Sequence, residues 1–110
     1  MKLLSRSQEL LLLVVWRLQQ DGAYAVTIRE KLHEVTGKTW AFGALFVSLE
    51  RLVEKGFLAS HLADPTPERG GRSKRMYRLT PAGVQALLDI RQIEQTMWAG
   101  ITELALRGGL

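Results

Sequence analysis

At 110 residues, with 46% apolar and 24% charged residues, the chain can build one domain with its own core, which excludes wholesale disorder. It has no cysteine, which excludes a disulfide framework and a thiolate zinc site and fits a reducing compartment. The net charge of +4 is modest but localised: residues 65–79 hold five basic residues against one acid, Glu68, leaving ten of each sign elsewhere.

The first segment, Ser7 to Gln20, is apolar at Leu10, Leu11, Leu13, Val14, Val15, Trp16 and Leu18. Its uninterrupted apolar run, Leu10 to Trp16, is seven residues long, well below the roughly 20 that a membrane span needs. No small-residue cleavage site follows, so the segment reads as a buried helix, with no membrane role and a cytoplasmic location. The apolar residues cover more than one helix face, as expected of a helix that meets both its own core and a partner.

Asp21-Gly22 closes that helix, and Tyr24 to Val26 suggests a short extended piece. Thr27 and Glu30 have the spacing of a capping box, Ile28, Leu32 and Val35 recur at helical spacing, and Gly37 is placed as a stop. The third segment puts Phe42, Leu45, Leu49 and Leu52 on one stripe and ends at Gly56. Gly43, Ala44, Val47, Arg51 and Glu54 fall on its far side, with Ser48 at the edge.

Period-two alternation in "FLASHLAD" and "SKRMYRL", on either side of the Pro/Gly loop "PTPERGGR", predicts an antiparallel hairpin with a projecting basic arm. A basic patch of this kind is the footprint of a surface that meets phosphates, although a solvated loop would carry the same charge. Thr80-Pro81 is a hydroxyl cap followed by proline at the first helical position. No proline interrupts the run to Arg107, and Ala86, Ile90, Ile93, Met97, Gly100 and Leu104 recur at the spacing of a helix-packing seam. One helix of about 40 Å is expected there. It is longer than the core can cover, so it should pair with a second copy.

Helix, short strand, helix, helix, basic hairpin and long helix is the order of a winged helix-turn-helix, a mostly α (α+β) fold. Residues 1–80 would form the DNA-binding part and residues 81–110 a C-terminal dimerisation helix, in one compact unit. In this geometry the third helix lies in the major groove of double-stranded DNA and the wing meets phosphates. Arg51 is the candidate for base or phosphate contact, and Arg69, Arg72, Lys74 and Arg75 are candidates for the backbone.

"GALFVSLERLVEKGFL" followed by "GGRSKRMYRLTPAGVQAL" resembles the PadR family of bacterial transcriptional regulators. Gly43, Leu45, Leu49, Arg51, Leu52 and Gly56 match that family's recognition-helix pattern, and Tyr77, Leu79, Thr80 and Gly83 match its second pattern. The family's threonine and tyrosine are replaced by Ala44 and Phe46, so two hydroxyls are missing from the reading helix. Lys38, Thr39 and Trp40, just before the helix, are candidates to supply replacement contacts. The resemblance implies a homodimer held by the first and last helices, and repression relieved by a planar aromatic effector. Trp16 and Trp98 are candidates to line the effector cavity, ordinary interface packing being the alternative.

Nothing in the sequence points to an enzyme, a cofactor or a metal. His33 and His61 have no metal-ligand spacing, no Gly-x-Ser-x-Gly elbow occurs, and "ERGGRSK" lacks the spacing of a phosphate loop. A winged helix used only for protein contacts is the rival reading, because Glu50 and Glu54 offset Arg51 and Lys55 on the third helix.

Overall fold

The computed structural model describes residues 3–63 and 74–109. Helix α1 (Arg6–Leu18) opens on a capping box: the Gln8 amide donates to Ser5 Oγ at 3.1 Å, and the Ser5 amide donates to Gln8 Oε1 at 2.9 Å. Helix α2 (Ala25–Thr36) and helix α3 (Phe42–Glu54) follow, stopped by Gly37 and Gly56 as expected. Strands β1 (Leu58–Leu62) and β2 (Arg75–Leu79) pair antiparallel, with Leu58 opposite Leu79 and Leu62 opposite Arg75. Helix α4 (Pro81–Trp98) begins with Thr80 Oγ1 accepting from the Gly83 amide at 3.0 Å, and a single turn, α5 (Glu103–Leu106), comes last. This is a winged helix: mostly helical, with one two-stranded sheet.

The core is built from one face each of α1, α2, α3 and the sheet, with Val84 and Leu87 of α4 packed against it. Leu11, Leu12 and Val15 of α1 meet Ile28 and Leu32 of α2, Leu45, Leu49 and Leu52 of α3, and Leu58, Tyr77 and Leu79 of the sheet. Each such aliphatic side chain stabilises the fold by about 1.5–3 kcal/mol relative to exposure. Gly83 lets α4 lie on this body, since a Cβ there would run into the carbonyl oxygen of Phe57 and stand 2.8 Å from a Leu79 methyl.

Four expectations are corrected. The helix that opens at Pro81 does not run to Arg107: it ends at Trp98, and Gly100, at φ +78°, turns the chain in a way that residues with a Cβ rarely adopt. The Ala86–Leu104 repeat is therefore not one seam. Ile90 is buried against its own chain, and Met97 and Leu104 are exposed. The Tyr24–Val26 stretch forms no strand, because α2 starts at Ala25; what remains of the pairing is one bond from the Tyr77 amide to the Ala23 carbonyl at 2.8 Å. Thr27 is not the cap but sits inside the first turn, its Oγ1 accepting from the Tyr24 amide at 3.1 Å and donating to the Gly22 carbonyl at 2.8 Å. Phe42 leaves the core stripe and is half exposed, with the Arg29 guanidinium 4.4 Å above its ring.

Candidate nucleic-acid interface

Because Leu45, Leu49 and Leu52 fix the buried side of α3, helical geometry turns Gly43, Ala44, Val47 and Arg51 outward, as expected. Phe46 flanks them, and Phe46 and Val47 are each 47% exposed. Ser48 is half-buried at the edge. Arg51 is exposed and takes part in no ion pair among the described residues. Ala41 precedes α3 without a side-chain cap, which leaves the first-turn amides to solvent or a ligand.

The entry to α3 is tied down. Arg29 Nε donates to the Trp40 carbonyl at 2.6 Å, and Trp40 packs on the core. The Thr39 hydroxyl lies 3.1 Å from His33 Nδ1, and the Lys38 amide donates to Thr36 Oγ1 at 3.2 Å. Of the three residues expected to supply replacement contacts, only Lys38 has an exposed side chain with no side-chain partner among the described residues.

On the wing, Arg69 and Arg72 lie outside the described residues. Lys74 places its ammonium 4.2 Å from the centre of the Tyr24 ring, and Arg75 points at Glu50, Nε to Oε1 at 3.6 Å, while its Nη1 donates to Ser60 Oγ at 3.2 Å. Tyr77 donates its phenolic hydrogen to the same Glu50 oxygen at 2.9 Å. Burial, and then the hydrogen bond and charge of Glu50, hold the Tyr77 hydroxyl well above the usual phenol range. The sequence reading missed this cluster. Its one signal was Tyr77 in the matched pattern.

Away from these residues, α1 and α4 flank an open groove of about 430 Å³, lined by Leu13, Trp16, Val84, Leu87, Leu88, Glu9, Arg91 and Glu94. Trp98 is exposed and is not part of that lining, so one chain does not bring the two tryptophans together. Arg6 Nη1 bridges Glu9 and Glu94, 2.9 Å from each. Burial of Glu9, reinforced by Glu94 and opposed by Arg6, pushes the Glu9 carboxyl up from its ordinary value. Among the described residues no helix is long and apolar enough to cross a membrane.

Residues 12–89 match the transcriptional regulator PadR-like family. No curated protein sequence matches the chain. Solved structures do. A PadR-like transcription factor from Bacteroides fragilis superposes with a TM-score of 0.70 at 23% identity, covering 83% of this chain and 82% of that one. RosR from H. salinarum gives 0.68 at 23% identity, with 94% and 86% covered. A PadR family transcription regulator from Clostridium difficile gives 0.62 at 20% identity, with 90% and 97% covered. At these identities the likeness is one of fold.

Proposed function

The chain belongs to the PadR-like family of transcriptional regulators, and from that premise we propose that it is a homodimeric, sequence-specific DNA-binding repressor released by a small molecule. The observation that carries the reading is the outward face of α3, left exposed among the described residues and set beside the hairpin that leads into the basic segment. A dimer would set two such helices in successive major grooves about one helical turn apart. Arg51 would contact bases or nearby phosphates. Lys38, Arg69, Arg72, Lys74 and Arg75 would meet the backbone, with first-turn amides of α3 adding to them in place of the hydroxyls missing at Ala44 and Phe46.

Dimerisation would use the apolar surface left open on the first and last helices, including Leu13, Trp16, Leu88, Met97 and Trp98. A planar aromatic effector would enter beside Trp16, with Trp98 contributed from elsewhere in the assembly. Its binding would change the spacing of the two reading helices.

Salt dependence tests the reading. Affinity for duplexes selected from a genomic pool is expected to fall by orders of magnitude between low and physiological salt. Replacing Arg72 and Lys74 with alanine should weaken binding to every sequence and reduce the salt slope by about 1 for each phosphate no longer neutralised. The half-exposed Phe42, Phe46 and Val47 favour one second reading, a protein-contact module. That module would bind its partner with little salt dependence and retain no duplex even in dilute buffer.

A further inference from the structure

We infer that α3 reads thymine: its major-groove surface recognises the C5 methyl groups of thymine-bearing base pairs rather than hydrogen-bonding base edges. The inference rests on the DNA-binding reading and deepens it.

Base edges are read either by polar side chains, such as Arg on guanine or Asn and Gln on adenine, or by apolar side chains laid on the thymine methyl. The part of a reading helix that reaches base edges is its N-terminal half. In the first two turns of α3 the outward residues are Phe42, Gly43, Ala44, Phe46 and Val47, and none has a polar side-chain atom. Ser48 is partly covered at the edge. Of the two acids on α3, Glu50 is drawn away from this surface, since Tyr77 and Arg75 both hold its carboxylate toward the wing, and exposed Glu54 lies about two turns beyond Val47, past Arg51. A carboxylate aimed at the groove would repel phosphates and select cytosine, so its capture leaves the surface neutral and apolar.

Charge complementarity identifies the occupant of this apolar face. Exposed Lys38 precedes the patch and exposed Arg51 follows it, with Arg29 over the ring of Phe42 at its side. Cations at both ends of an apolar centre fit a groove whose floor carries methyl groups and whose two walls are phosphates. A purely apolar protein partner would leave those cations unmatched. Gly43 and Ala44 permit close approach of the helix start, and Val47 and Phe46 supply the area that covers methyl carbon.

The test uses the full chain and duplexes recovered from a randomised pool, with deoxyuridine replacing thymidine one position at a time. Uracil differs from thymine only by the missing C5 methyl. The expected result is two clusters of sensitive positions about one helical turn apart, each losing about fourfold in affinity, the factor for one buried methyl group. 5-Bromouracil, which restores bulk at C5, should recover the loss. Phe46→Ala and Val47→Ala, both at half-exposed positions that leave the core intact, should bind thymine and uracil duplexes alike while keeping the salt slope of the parent. Equal binding of uracil and thymine duplexes by the parent overturns the inference but leaves the DNA-binding reading standing. So does a loss confined to 7-deazaguanine substitutions, which would show hydrogen-bond reading of guanine. Failure to retain any duplex in dilute buffer overturns both.

Discussion

Tyr77 of the wing donates its hydroxyl hydrogen to Glu50 of α3 across 2.9 Å, joining two residues 27 apart in sequence. The bond fixes the wing strand against the helix beside it, and Arg75 reaches the same carboxylate oxygen from the neighbouring side. Wing and α3 are therefore tied to each other at this point by side chains.

Replacing Tyr77 with phenylalanine keeps the buried ring and removes the bond. A hydrogen bond to a charged group contributes about 1.5–3 kcal/mol, and the partial exposure of Glu50 puts the expected loss near the bottom of that range. Urea denaturation measures it, and an unchanged midpoint would show that the tie is slack. The raised phenol adds a pH effect. The folded state holds this proton more tightly than the unfolded chain does, so the stabilisation is complete at neutral pH. It is lost as pH rises above the ordinary phenol value of about 10. In the Tyr77→Phe variant that alkaline decline should be smaller.

Gly83→Ala should destabilise the domain by about 1–3 kcal/mol, because its methyl group would have to displace the Phe57 carbonyl and a Leu79 methyl. The loss corresponds to a drop in melting temperature of about 4–8 °C per kcal/mol. Differential scanning calorimetry checks it. A variant as stable as the parent would mean that α4 can lift from the sheet without penalty.

Much of this architecture was legible because its signals are local. A hydroxyl cap before Pro81, glycines at 37 and 56, and alternation in β1 and β2 each act within a few residues, and each element appears where those signals put it. What was not legible depends on distant residues. Phe42 continues the apolar stripe by spacing, and only the Arg29 guanidinium above its ring shows that it is turned out. Gly100 reads as a small residue in a periodic seam until its positive φ is seen. The Glu50 cluster needs β2 laid across α3, and the Arg6 bridge needs residue 94 brought back to α1, neither of which any spacing announces.

Glu9→Gln should stabilise the protein at pH 7 modestly, since it removes a charge that is nearly enclosed and repelled by Glu94. The opposing effect of freeing Arg6 is small, because Arg6 is 71% exposed. The folded state raises the affinity of Glu9 for its proton, so its stabilising share is complete below the ordinary value of 4.5 and is lost as pH rises through the higher folded value. The advantage of the glutamine variant should therefore shrink as pH is lowered toward 4.5. A gain that stays constant with pH would show that Glu9 does not titrate in this range.

Leu88→Glu and Met97→Glu should each weaken self-association by at least about 100-fold, since a buried apolar side chain contributes about 1.5–3 kcal/mol and occurs twice in a twofold dimer. Both residues are exposed in the single chain, so the fold itself should be spared. Sedimentation equilibrium reads the outcome, and a parent that is monomeric at micromolar concentration would remove the premise.

The amide of Tyr77 bonds to the Ala23 carbonyl and that of Leu79 to Gln19 Oε1 at 3.0 Å, so two outward-facing donors of β2 are already engaged by the connection between α1 and α2. A two-stranded sheet ordinarily offers both flanks to a stray strand. Here the β2 flank is closed by the body of the protein itself, which leaves a stray strand only the β1 flank as a template.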